Sequence, residues 1–309
     1  MEPFTHLKLH SQCYGCFGIV FDITDRKLAE RKLAQLSEEL SIKNKEMEKD
    51  LDMARDVQMA LLSQNYPKYF PENVPPKQSA LQFSHRYIPA RTLAGDFFEI
   101  FPISDHQVGI MIYDVMGHGV RASLMTAYLH GLVEELIQSA ADPVIFIKRL
   151  NVGLSAIGHF LPGMFSTAFY LVADIKKGTM RYTNAGHPTP FILRRKIESV
   201  ERLKCDGRGS EPALGLFKDC DYTAYESEMA DDDVVLFFTD GIYEVEGENK
   251  QLFGKDRLIK TIESQIHQPP EKMLDGVLDE IKRYAGTSEF ADDVCMVTKH
   301  VRKDSFNSL

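Results

Sequence analysis

Between Thr24 and Gln64 the chain contains no Gly or Pro, and its apolar residues return on a seven-residue frame at Leu33, Leu40, Met47, Ala54 and Leu61. A companion series at Leu36, Lys43, Asp50 and Val57 completes the alternating spacing of a coiled-coil seam. The pattern predicts a helix over 26–65 with a weak middle, because Lys43 and Asp50 stand where the seam calls for apolar groups. So polar a helix needs a partner to be stable, and a parallel homodimer through 26–65 is the expectation. Thr24 followed by Asp25 reads as its N-cap. Upstream, the run 16–24 has the texture of one short strand and is too little to fold alone.

The segment 66–77 holds four prolines and cannot continue a helix, so a domain boundary is placed there. Beyond it the periodicity switches between two and 3.6. Strands are expected at 81–88, 97–103, 107–114, 165–174, 179–184, 190–195, 222–228, 233–239 and 293–301. Helices are expected at 120–139, 143–160, 254–266 and 270–285. Many strands follow one another directly and the helices come in two pairs. That order predicts an α+β domain of antiparallel sheets with helices packed outside, not a doubly wound parallel sheet.

Composition narrows the classes. With 309 residues and 44% hydrophobic content, the chain can bury a substantial core. The longest apolar runs, such as 234–238, are strand-sized, and the N-terminus lacks a basic-then-apolar leader, so a cytoplasmic protein with no membrane span is expected. A net charge of −9 argues against nucleic acid as the main partner. Cys13 and Cys16, with His10 nearby, make at most half a zinc site or a redox motif, and the five cysteines read as reduced thiols.

Chemistry enters through carboxylates at strand ends: Asp96 in "LAGDFFEIF", Asp114 in "IMIYDVMGHG", Asp240 in "VVLFFTDGIYE", and Asp292 with Asp293 in "FADDVCMV". Singly each is weak, since Asp-Gly is a common turn and a carboxylate beside a helix start is a common cap. Together they would repel one another unless cations lie among them. Without a matching His/Cys set the ligands would be oxygen only, which suits Mg²⁺ or Mn²⁺. Strand alternation puts Asp96 on the face of Phe98 and Glu99 on that of Phe97, so the two cannot share one site unless the strand bulges. By the same parity only one of Asp292 and Asp293 should face inward.

The order "AGDFFE", "DVMGHGVRASLM", "TNAGHPTPFILR", "ALGL", "FFTDGIYEVEG" and "FADDVCMV" resembles the SpoIIE-like, RsbU-like branch of the PPM metal-dependent Ser/Thr phosphatases over roughly residues 80 to 300. The stretch 18–33 is similar to the end of a PAS sensor domain running into its signalling helix. The implied organisation is a PAS remnant at 1–25, a helical coiled-coil linker at 26–65 and a phosphatase domain at 66–309. The resemblance implies an α-β-β-α sandwich with two Mn²⁺ or Mg²⁺ ions at one edge. Asp114 would bridge them, the Val115 carbonyl would add a ligand, Asp240 and Asp292 would complete one ion, and Asp96 would stand near the other. Catalysis would depend on Asp114, Asp240 and Asp292, with Asp293, Glu99, Gly117 and His118 surrounding and orienting the ligands.

The reaction implied is hydrolysis of a phosphoserine or phosphothreonine by an activated water, with no enzyme nucleophile. The implied substrate is a phosphorylated regulatory protein, typically a STAS-type anti-sigma-factor antagonist. His118 and His187 invite a reading as general acids, but the structural role comes first for both. Tyr113 before the Asp, Ala94 in place of the first Gly of "GGD", and Cys295 in place of a Thr depart from the family pattern without removing a ligand. Two other readings compete: a non-catalytic dimeric scaffold that only binds partners, and a two-metal nuclease, which would call for a basic surface.

Overall fold

The computed structural model describes residues 22–62, 66–90, 92–158, 163–205 and 211–302. The PAS-type remnant apart from residues 22–25, and with it His10, Cys13 and Cys16, lies outside them. Two compact units divide the chain, one through Met53 and one from Ala54 onward.

Helix α1 (Thr24–Leu62) runs without a break, as the Gly- and Pro-free sequence requires. A cap falls earlier than expected: the Asp22 carboxylate accepts the Thr24 backbone N–H at 2.8 Å. In the first unit the seam residues Leu33, Leu36, Leu40 and Met47 are 48–70% exposed, so their apolar surface finds no cover among the described residues.

The second unit is the four-layer sandwich. Its elements are β1 (Tyr69–Phe70), β2 (Leu81–Ile88), β3 (Asp96–Ser104), β4 (Gln107–Val115), α2 (Val120–Leu136) and α3 (Pro143–Gly158). There follow β5 (Ser166–Asp174), β6 (Thr179–Ala185), β7 (Phe191–Arg194), β8 (Ser199–Arg202), β9 (Tyr225–Glu228) and β10 (Val234–Phe238). Helices α4 (Lys255–Glu263) and α5 (Pro270–Ala285) and strand β11 (Val294–Val301) complete it. One antiparallel sheet has the order β1-β2-β11-β10-β7-β8, the other β3-β4-β5-β6-β9.

Alternation explains why the central strands are apolar throughout. Val108, Ile110 and Ile112 of β4 join Val235 and Phe237 of β10 in the core between the sheets. Met111, Tyr113 and Val115 point the other way, under α2 and α3. Val234, Leu236 and Phe238 point under α4 and α5. A strand buried on both faces has no polar alternation to display, although antiparallel sheets usually keep one wet face. Helix α3 is opened by Asp142, whose Oδ1 accepts the backbone N–H groups of Val144 and Ile145 at 3.0 and 3.1 Å.

Two short strands were not expected from the sequence. Strand β1 is two residues long and sits at an edge, inside the proline-rich segment. Strand β8 is a polar edge strand, "SVER", with no apolar alternation to reveal it. Among the described residues no helix is long and apolar enough to cross a membrane.

Candidate metal centre

Strand register builds the centre. In the β3–β4 pair Asp96 lies directly opposite Asp114, and across β5 Asp114 faces Thr167. From the other sheet, β10 ends at Phe238 and turns at once through Asp240–Ile242, while Asp292 and Asp293 immediately precede β11. These two ends are locked together: the Thr239 N–H donates to the Cys295 carbonyl at 3.0 Å, and the Cys295 N–H donates to Thr239 Oγ1 at 3.1 Å. A side chain at Gly241 would put its Cβ 2.0 Å from the Asp293 carbonyl oxygen, so only glycine lets the Asp240 turn approach the Asp292–Asp293 strand start.

The electrostatics are those of unbalanced negative charge. Asp96 is 3% exposed, and its Oδ2 makes no hydrogen bond among the described residues. Burial first, then the neighbouring Asp114 carboxylate, holds the Asp96 carboxyl well above its usual range. Asp114 is raised by burial and by Asp292 and Asp293. Asp240 is pushed up to about 6 by burial and then by Asp114. Asp292 is exposed, so the centre opens to solvent on that side. Glu244 was missed as a site residue in the sequence. Its charge also raises Asp114 and Asp240, and its position, one helical turn after Asp240, was the available signal.

Asp293 has a separate task. Its Oδ1 accepts the Ala90 N–H and its Oδ2 accepts the Gly95 N–H, each at 2.8 Å. Both carboxylate oxygens are thus committed to the backbone that leads into Asp96. The carbonyl of Val115 faces the same segment, 2.9 Å from where a Gly95 side chain would begin. From α1, the Gln58 amide donates to the Ala94 carbonyl at 2.8 Å, and its Oε1 accepts the Ala94 N–H at 3.3 Å.

Glu99 does not join this cluster. Strand β3 has its irregularity only at Pro102/Ser104, so alternation holds and Glu99 lies on the helix side of the sheet. There its Oε1 accepts the Tyr113 hydroxyl at 3.1 Å, and its Oε2 lies 3.3 Å from His130 Nδ1. Its expected place around the ligands is therefore corrected: Asp96 and Glu99 face opposite ways because no bulge intervenes. Gly117 (φ +90°) and His118 are exposed in the loop between β4 and α2.

His187 is buried, with Nδ1 2.8 Å from Thr167 Oγ1. Burial pulls its ring down to about 3, so it is neutral at physiological pH and unsuited to donate a proton. Its N–H donates to Asn184 Oδ1 at 2.8 Å and its carbonyl accepts from Asn184 Nδ2 at 2.9 Å, which fixes the turn after β6.

The donor set fits divalent cations. It is all oxygen, converges from four strand ends, is partly wet, and carries an orphaned buried carboxylate oxygen that ionises at a cost unless a cation faces it.

Known proteins resemble this chain in sequence and in fold. The family model described as Stage II sporulation protein E (SpoIIE) matches residues 104–302. The chain is 26% identical over 256 residues to the phosphoserine phosphatase RsbP of Bacillus subtilis, covering 82% of this chain and 58% of that protein. It is also 26% identical over 236 residues to the phosphoserine phosphatase RsbU of Bacillus subtilis, covering 76% and 65%. The chain thus spans less than two thirds of either relative. Among solved structures, the SiaA-PP2C domain of Pseudomonas aeruginosa superposes with a TM-score of 0.70 at 20% identity, covering 84% of this chain and 98% of that one. The PP2C phosphatase domain of SpoIIE from Bacillus subtilis, with a fragment of its regulatory domain, gives 0.61 at 20% identity over 72% and 62%. At these identities the superpositions establish the fold.

Proposed function

The chain belongs to the SpoIIE family, and on that premise we propose that it is a metal-dependent phosphoserine and phosphothreonine protein phosphatase of bacterial signalling, in the cytoplasm. The observation that carries the reading is the uncompensated carboxylate cluster at one edge of the sandwich, with Asp96 Oδ2 buried and unpartnered. Asp114, Asp240, Asp292, Asp96 and the Val115 carbonyl are the groups that would hold Mn²⁺ or Mg²⁺. Two such ions, when bound, would offset the charge of phosphoryl oxygens and make a water acidic enough to attack at neutral pH.

The chain's own residues do the positioning. Asp293 uses both oxygens to hold the backbone at Ala90 and Gly95, so it orients Asp96 and leaves ligation to Asp292. Burial and mutual repulsion hold the Asp96 and Asp114 carboxyls above their usual range, and a bound cation would relieve that repulsion. Among the described residues no thiol competes as nucleophile at this edge: Cys295 is fully buried, and burial pushes its thiol up and leaves it inert.

The substrate proposed is a phosphorylated STAS-type anti-sigma-factor antagonist. The relatives named phosphoserine phosphatases support the phosphoserine part of that reading. The exposed heptad residues of α1 support a homodimer through 26–65. Gln58 gives the helix a hold on Ala94, two residues from Asp96, so a change in α1 would be felt at the centre. The test is phosphate release from a phosphoserine STAS protein with Mn²⁺, Mg²⁺ or EDTA. Turnover that depends on the ion is expected. A folded protein that binds Mn²⁺ yet releases no phosphate from any phosphoserine protein would contradict the reading.

A further inference from the structure

Beneath α2, on the face of the five-stranded sheet turned away from the acidic edge, stand Glu99, His130 and Glu134. One ligand atom from each lies within 4.8 Å of the others. Glu99 and His130 are 8% and 7% exposed, and Glu134 is at the surface. His130 and Glu134 are one turn apart on α2, so they face the same way, and Glu99 meets them from β3.

We propose that these three residues form a metal site for a zinc-class transition ion, separate from the acidic edge. Three observations carry it. His130 Nδ1 is buried and lies 3.3 Å from Glu99 Oε2, in ion-pair reach but outside good hydrogen-bond geometry. That separation is the one expected between two ligands of a single ion, since atoms ~2.1 Å from a tetrahedral centre are roughly 3.4 Å apart. The Tyr113 hydroxyl donates to Glu99 Oε1 at 3.1 Å, which fixes the carboxylate with Oε2 turned toward His130. A hydrogen bond of that kind is how proteins hold a ligating carboxylate in place. It also gives Tyr113, a departure from the family pattern, a task of its own.

The donor chemistry separates the two sites. An imidazole nitrogen with two carboxylates favours zinc over Mg²⁺ or Ca²⁺, which prefer all-oxygen sets. Glu134 closes the site at the surface, where water can take a fourth position. An ion there would tie β3, which carries Asp96 three residues before Glu99, to α2, which begins just after the Asp114 loop.

The test uses the full chain carrying Asp114→Asn and Asp240→Asn, so that the acidic edge is disabled, and ZnCl₂ alone as the probe. Calorimetry should find one equivalent of zinc bound with micromolar or tighter affinity. Adding Glu134→Gln, a surface change that leaves the fold intact, should weaken it by about 10–100-fold. Adding His130→Gln should abolish it, and Co²⁺ in place of zinc should give the intense visible bands of four-coordination in the parent alone. No zinc held above background would overturn the proposal, leaving Glu99 and His130 as an ion pair only. So would an affinity unchanged by Glu134→Gln and His130→Gln. Because none of these readouts involves phosphate release, failure here is separable from failure of the phosphatase reading.

Discussion

The two faces of β3 and β4 bury carboxylates under opposite conditions. On the face shared with Phe98 and Ile112, Asp96 and Asp114 meet with no cationic side chain among the described residues to balance them, and each is held above its ordinary range. On the opposite face burial raises Glu99 too, but Tyr113 as a donor and His130 as a basic partner oppose that, and His130 is raised in turn by Glu99. Glu99 has a donor and a basic neighbour within the chain whether or not an ion joins them, whereas Asp96 Oδ2 has no hydrogen-bond partner among the described residues. The uncompensated face therefore marks the place where charge is left open for something outside the chain, since unpaired buried charge is costly unless a ligand redeems it.

The sharpest way to break that comparison is Asp114→Asn. Phosphate release should fall on the order of 10³-fold. In the same variant the metal-free protein should melt a few degrees higher, because a repelling carboxylate is gone, with about 2–4 °C for each kcal/mol. Loss of activity together with loss of stability would place Asp114 among structural groups instead.

Asp293→Asn comes next. One of its two backbone acceptors, for Ala90 or Gly95, is lost. Activity should fall about 10–100-fold, with Mn²⁺ affinity weakened in the same titration. Gln58→Ala removes both hydrogen bonds to Ala94 and should lower activity roughly 5–30-fold, the factor expected for ~1–2 kcal/mol. Measured kcat on the phosphoserine protein decides both.

On the other face, Glu99→Gln keeps an acceptor for Tyr113 but removes the charge beside His130. Denaturant unfolding should show a loss of about 1–3 kcal/mol, with the Mn²⁺ dependence of turnover unchanged. The smallest effect concerns pH. Asp240 is raised to about 6 in the folded protein, against 3.8 as its ordinary value. Between those values the folded state binds more protons than the unfolded one, so the metal-free protein should lose stability as pH rises through about 6. Asp240→Asn, or saturating Mn²⁺, should flatten that slope in a series of melting curves.

The layout of the sandwich was legible because β4 and β10 are apolar runs flanked by turn residues, and helix pairs alternate with strand groups along the chain. Strands β1 and β8 were not legible: one is too short to show a period, and the other is a polar edge whose pairing with β7 is decided by the hairpin, not by burial. In the site, strand parity already separated Asp96 from Glu99. It could not supply His130 as the partner of Glu99, because how α2 lies over the sheet is a tertiary fact. Nor could adjacency say how Asp292 and Asp293 divide their work. The backbone N–H groups of Ala90 and Gly95 do that, some two hundred residues away in sequence. Glu244 was overlooked because the short turn at Asp240–Ile242 gave no helical pattern in which a one-turn spacing would stand out.

The central claim is that the edge formed by Asp96, Asp114, Asp240 and Asp292 is a two-cation centre. It is tested most directly by crystals grown with Mn²⁺ and measured at the manganese absorption edge. Two anomalous peaks among these carboxylates, both absent in Asp114→Asn, are the predicted result. No peak there, in crystals whose Asp96 and Asp114 still face each other, would contradict it.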